Sequence, residues 1–198
     1  MITDDTIKLF ADNCKEENGV LVTGTVFSRV LDAPRPRSGV RGWLGQKARY
    51  GVPLTPWHKF PNGACTVGLN KVLDVNFRNQ AQVTQWYIGL INDSGFTAVD
   101  AADTSASHSG WTELTSYTSG TRLAWSPSAA ASGVLTISSA VTFTTNATVD
   151  IRGILIASSS TKNSVVDILW ATAVESAARN IISGQQYQCF YSIQFTPG

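Results

Sequence analysis

Few residues in this chain are spaced for chemistry. Its two histidines, His58 in "PWHKF" and His108 in "SASHSGW", lie fifty residues apart. Neither has a cysteine or second histidine at ligand spacing, so no zinc site is expected. The serines flanking His108 are its neighbours in sequence, which does not produce the facing geometry of a nucleophile and its base, and no GxSxG elbow is present. Asp100 and Asp103 in "AVDAADTSAS" lack the oxygen-rich spacing of a calcium loop and read as turn carboxylates that bond nearby backbone. No glycine-rich phosphate loop occurs. The three cysteines, Cys14, Cys65 and Cys189, are odd in number with no close pair, which points to reduced thiols rather than a disulfide framework. An enzyme is therefore not expected, and neither a metal nor a cofactor is implied.

Charge and aromatic residues carry more information. The net charge of +1 hides a basic segment: Arg29, Arg35, Arg37, Arg41, Lys47 and Arg49 stand against the single acid Asp32. Residues 79–198 hold four basic residues against seven acids, so the rest of the chain is mildly acidic. Of the six tryptophans, Trp86 and Trp170 sit in strand patterns and are expected in a core. Trp111, in the loop "SHSGWTEL", is the tryptophan considered for a ligand, together with Tyr117. Trp43 and Trp57, with Tyr50, are spaced along the basic segment, where aromatic rings serve best as anchors on another surface.

The elements that would hold these residues fall into two zones. Residues 1–61 read as an extended N-terminal arm. A short helix is possible in "TIKLFADNCKE", and "NGVLVTGTVFSRVLD" reads as an extended strand, with Val20, Val22, Gly24 and Phe27 near one face. Five of the seven prolines lie between Pro34 and Pro61, which argues against a helix or a central strand there. Fully extended, residues 33–61 would span on the order of 100 Å.

Residues 62–198 read as a β-sandwich or jelly-roll-like body. It opens with one short helix in "CTVGLNKVLDVNFR", with Thr66 as N-cap and Leu69, Val72, Leu73, Asn76 and Phe77 in helical spacing. Strands are expected at 82–91, 121–125, 133–138, 141–146, 148–158, 166–174 and 186–195. The last shows the clearest alternation, through Tyr187, Cys189, Tyr191, Ile193 and Phe195. About seven strands with one helix make the chain mainly β.

Composition sets the remaining bounds. With 198 residues and 43% hydrophobic content, the chain can bury a core. Its first residues are acidic and polar, unlike a signal peptide. The apolar runs "YIGLI" and "ILIA" fall far short of the roughly 20 residues of a membrane helix. A soluble protein made in a cytoplasm, with no membrane partner, is the expectation.

The run from "TPWHKFPNGACTVGLNKVLDVNFRNQ" through "WYIGLINDSGFTA", followed by "RLAW", "RGILIASSSTKNS" and "LWATAV", resembles a family of tailed-bacteriophage structural proteins over roughly residues 54–195. The resemblance implies a non-enzymatic virion component and carries no catalytic or ligand residues. Joined to the basic, aromatic arm, it leads to the expectation of a capsid cement (decoration) protein on the outer capsid surface. Its partner would be the major capsid protein, bound through Arg35, Arg37, Arg41, Trp43, Arg49, Tyr50 and Trp57. A homo-oligomer is expected, with a trimer favoured. The alternative is a tail fibre or adsorption protein that binds host glycans through Trp111, Tyr117 and the 92–110 loop. Nucleic acid is a weaker reading of the same charge, because proline and glycine interrupt any helix and the body lacks a basic face.

Overall fold

The structure is a computed structural model that describes residues 21–32 and 53–196. It is mainly β with one short helix, as expected. Ten strands form one antiparallel sheet: β1 (Leu21–Leu31), β2 (His58–Ala64), β3 (Trp86–Asn92), β4 (Thr112–Leu114), β5 (Leu123–Trp125), β6 (Val134–Thr136), β7 (Val141–Thr144), β8 (Val149–Ala157), β9 (Leu169–Ile181) and β10 (Gln186–Thr196). The helix, α1, spans Thr66–Phe77. The central path runs β3-β8-β9-β2-β1-β10. One edge is shared by β4 and β5, which both pair with β3, and the other by β6 and β7, which both pair with β10.

The sheet curls until its two edges meet. Register shifts at Ile91/Asn92, Ile151/Gly153 and Ile156/Ala157 bend the strands, as extra unpaired residues do. Beyond β4 the chain reaches the opposite edge, where Tyr117 bridges Thr145 and Thr118 N donates to Thr144 O at 2.9 Å. The enclosed core takes alternate residues from each strand, among them Val26, Ile88, Leu90, Ile154, Phe143, Tyr187 and Tyr191. A second apolar layer lies on the outer face of β3 and β8, where Ile91, Leu155, Ala157 and Leu169 are covered by the 93–111 loop through Trp111. Burial on both faces explains why "ILIA" in β8 is continuously apolar rather than alternating.

Residues 21–31 and 58–61 do not belong to an arm. β1 lies between β2 and β10, paired along all eleven of its residues with β10, from Leu21↔Thr196 to Leu31↔Gln186. The expected boundary at 61/62 falls inside β2. The core face of β1 continues through Val26, Ser28 and Val30, so Phe27 points the opposite way from the face assigned to it. β2 is a central strand despite Pro61. There it pairs with β1 alone, since β9 joins only from Asn62 to Ala64, and a missing donor is tolerated on the unpaired side.

α1 begins one residue earlier than expected, with Cys65 rather than Thr66 in the extended capping position. Leu69 and Val72 pack on the core, whereas Leu73 and Phe77 lie on the exposed side, Phe77 at 82%. The helix rests directly on β9. A Cβ at Gly68 would stand 2.7 Å from the Trp170 Cα and from its carbonyl oxygen, so only glycine permits this approach.

Candidate functional site

The tryptophans of three separate strands converge on one groove. Trp86 opens β3 and Trp125 ends β5, and the two are direct partners in the antiparallel register. Trp170 enters from β9, with its ring centroid 6.2 Å from that of Trp86 at an interplanar angle of 57°. The groove has a volume of about 620 Å³. Val72 and Asn76 of α1 form one wall with the 82–85 segment, and Leu135, Ile193 and Phe195 form the other. Trp125 and Trp170 are its buried floor, and Trp86 is half-buried.

Hydrogen bonds hold that floor rigid. Trp125 Nε1 donates to Tyr191 O at 3.2 Å, and Trp170 Nε1 donates to the Tyr191 hydroxyl at 2.7 Å. Asn62 Nδ2 donates to the same hydroxyl at 2.7 Å. Burial pushes the Tyr191 phenol well above its ordinary pKa, so it stays neutral. On the rim, Gln85 Nε2 donates to Trp86 O at 2.7 Å and to Trp125 O at 2.8 Å, which fixes the amide in place.

A second, smaller cavity of about 180 Å³ lies on the far side of β3. Its lining includes His108, Trp111, Glu113, Arg122 and Asn163. His108 stacks on Trp111 at 3.9 Å, and its Nδ1 lies 3.0 Å from Trp111 O, so the ring is committed to its own loop. Arg122 binds Glu113 through two bonds of 2.9 Å, and its Nη1 reaches Asp167 and, at 3.1 Å, Ser159 O. Burial opposes the Arg122 charge, but Glu113 and then Asp167 outweigh it and raise its pKa. Four of the five N–H donors of the guanidinium fork are bonded to acceptors of the chain, which makes this trio a clamp between β4, the start of β5 and the 159–167 loop.

A third polar cluster lies in the core. Glu175 accepts from Ser28 Oγ at 2.6 Å, from the Tyr187 hydroxyl at 3.0 Å and from Arg179 Nε. These donors satisfy a carboxylate that β9 turns inward at its irregularity beside Ile151/Gly153. Neither of the two described cysteines is poised as a nucleophile. Burial pushes the Cys65 thiol up to about 11, aided by Asp103, and pushes Cys189 higher still. Among the described residues no group of histidine, cysteine and carboxylate side chains is placed to hold a metal ion, and no helix is long and apolar enough to cross a membrane.

The residues singled out in the sequence have separate fates. Arg35, Arg37, Arg41, Trp43, Arg49 and Tyr50 lie outside the described residues. Trp57 is not held away from the body. It packs 5.1 Å from Phe190 of β10 under the Arg29 guanidinium, which stands 4.3 Å from its ring centroid, and it remains 37% exposed.

Trp111 and Tyr117 are not available as ligand platforms, being 3% and 2% exposed. Trp111 pins the 93–111 loop, its Nε1 donating to Asp103 Oδ2 at 2.8 Å. Tyr117 lies edge-on to Phe143, with Lys162 Nζ 3.5 Å from its ring centroid. Asp100 and Asp103 do bond local backbone, Asp103 accepting from Asp100 N at 2.9 Å and Asp100 from Ala102 N at 2.7 Å.

The sequence reading missed the groove itself. Each tryptophan sits in an apolar pattern that looks like core, and only the β3–β5 pairing and the approach of α1 to β9 bring the three together.

No family model matches this chain. Comparisons with the curated proteins and with the solved structures likewise give no match.

Proposed function

We propose that this protein is a capsid decoration protein of a tailed bacteriophage, a non-enzymatic component that binds the outside of the assembled shell. The reading takes up the resemblance noted in the sequence over residues 54–195, and one observation about the basic segment supports it. Leu31 bridges Pro53, Leu54 N donates to Val30 O at 2.9 Å, and Val30 N donates to Thr55 Oγ1 at 3.0 Å. Both ends of residues 33–52 are therefore anchored side by side on the sheet.

Those twenty residues carry five basic side chains, Arg35, Arg37, Arg41, Lys47 and Arg49, and no acid. As a segment tied at both ends it reaches at most ~35 Å from the sheet, half its length out and half back, rather than the full span of a free arm. A basic excursion with fixed ends on a mildly acidic body suits attachment to an acidic patch of the major capsid protein. The body then faces outward and keeps its own fold. A homo-oligomer, with a trimer favoured, would match the repeated symmetric positions of a shell.

The test is location and copy number in intact particles. Hundreds of copies spread over the shell are expected, whereas a few tens confined to the tail would overturn the reading. A second arm uses a variant in which residues 34–51 are replaced by a short Gly-Ser turn. Because Asp32 and Pro53 start out adjacent, this variant should fold and fail to bind shells. Undiminished binding would place the attachment surface elsewhere.

A further inference from the structure

We infer that the groove between α1 and the β3, β5 and β6 strands is a binding site for an uncharged saccharide, independently of whether the protein decorates a shell. Among the described residues, no titratable side chain lines it. Its polar groups are all amides or hydroxyls, contributed by Asn76, Gln82, Thr84, Gln85 and Ser126. An anionic or cationic ligand would find no counter-charge there, whereas a neutral polyol finds both donors and acceptors.

The apolar half of the site suits the same ligand. Trp86 is half-buried beside its cross-strand partner Trp125, with Trp170 tilted behind it at 6.2 Å. A flat indole offers a surface to the C–H face of a sugar ring while amides engage its hydroxyls. The volume of about 620 Å³ falls within the range of roughly 300–1,000 Å³ of small-molecule sites.

Pre-organisation completes the argument. Gln85 Nε2 is held by two backbone carbonyls, at 2.7 Å and 2.8 Å, and Asn76 Nδ2 donates to Val72 O at 2.8 Å. Both amides are thereby fixed before a ligand arrives, which lowers the entropy lost on binding. An apolar partner surface is a poorer occupant, since it would strip water from five amide and hydroxyl side chains without replacing their hydrogen bonds.

The experiment titrates the full chain with neutral hexasaccharides (maltohexaose, cellohexaose, mannohexaose and chitohexaose), with sialylated and sulfated oligosaccharides as charged controls. Tryptophan fluorescence and calorimetry are the readouts. At least one neutral hexasaccharide is expected to bind saturably and to bind equally well in low and high salt. Trp86→Ala should weaken it by at least ~10-fold, the scale expected when a central aromatic contact is lost.

Because Trp86→Ala can disturb β3, Thr84→Arg serves as the second variant. Thr84 is exposed on the rim, so this change blocks the groove without touching the core, and it should abolish binding with the melting temperature unchanged. The inference is overturned if no neutral hexasaccharide binds, if only charged ones do, or if binding survives Thr84→Arg. It is equally overturned if Thr84→Arg dissolves a concentration-dependent dimer seen by sedimentation, which would make a second copy the occupant. Binding that appears only after removal of residues 1–18 would assign the groove to the chain's own N-terminus.

Discussion

Replacing Arg122 by methionine tests whether the clamp around the smaller cavity is a desolvated ion trio. The Arg122, Glu113 and Asp167 side chains are 3%, 3% and 1% exposed, so solvent screens them little. Removing the cation leaves two carboxylates buried without it, and breaking a buried pair in this way costs ~3–5 kcal/mol. For a chain of 198 residues, each kcal/mol lowers the melting temperature by about 2–4 °C, so the drop should be on the order of 6–20 °C. Thermal melts followed by circular dichroism, with urea titrations to check a constant slope, measure it. The companion variant, Arg122→Met with Glu113→Gln and Asp167→Asn, removes all three charges. It should recover at least about half of the loss, because the penalty comes from uncompensated charge and not from lost volume. A single-variant loss below ~1 kcal/mol, the value of a solvated surface bridge, would refute the reasoning. So would a triple variant as unstable as the single one.

Other substitutions probe the remaining supports. Gly68→Ala should destabilise the chain by about 1–3 kcal/mol, since the added methyl meets the Trp170 backbone rather than a flexible side chain; an unchanged urea midpoint would show that α1 can back away. Tyr187→Phe removes one of the three donors to Glu175 and should cost ~1–1.5 kcal/mol, measured by the same titration, whereas a neutral result would mean that Ser28 and Arg179 suffice. Alkali should destabilise the wild type more than Cys65→Ala. Burial keeps this thiol protonated in the folded chain up to about 11 against its ordinary 9.0, so unfolding releases a proton above pH 9. The difference should grow by up to ~1.4 kcal/mol per pH unit between these limits, and parallel pH profiles would contradict it.

Much of the fold is legible locally. β10 alternates as its sequence suggests, with Tyr187, Cys189 and Tyr191 buried in turn, and α1 appears within one residue of its expected start. The strands missed were β2 and β4. β4 is three residues long, too short to show a period. β2 contains Pro61, and its acceptance as a central strand depends on where β9 begins to pair, which no local pattern reveals.

The candidate sites were less legible. Trp111 stands in a polar loop that looks solvent-facing, and its burial follows from the outer face of β3 and β8 needing a cover. For the same reason Trp86 looked like core: an apolar alternation says which side of a strand avoids water, not what will lie against it.

The sequence by itself determined the mainly β character, the helix at 66–77, the sparse chemistry-bearing residues and the basic, acid-free stretch at 33–52. These are properties of composition and of short-range period, set by geometry within a few residues. Tertiary structure alone decided that β1 and β2 belong to the sheet, that the basic stretch leaves and returns at adjacent points, and that three tryptophans share a groove. Those outcomes depend on pairing between residues far apart in the chain, such as Leu21 with Thr196 and Leu31 with Pro53. Strand pairing is selected by the burial of the whole sheet, so its result cannot be read one segment at a time.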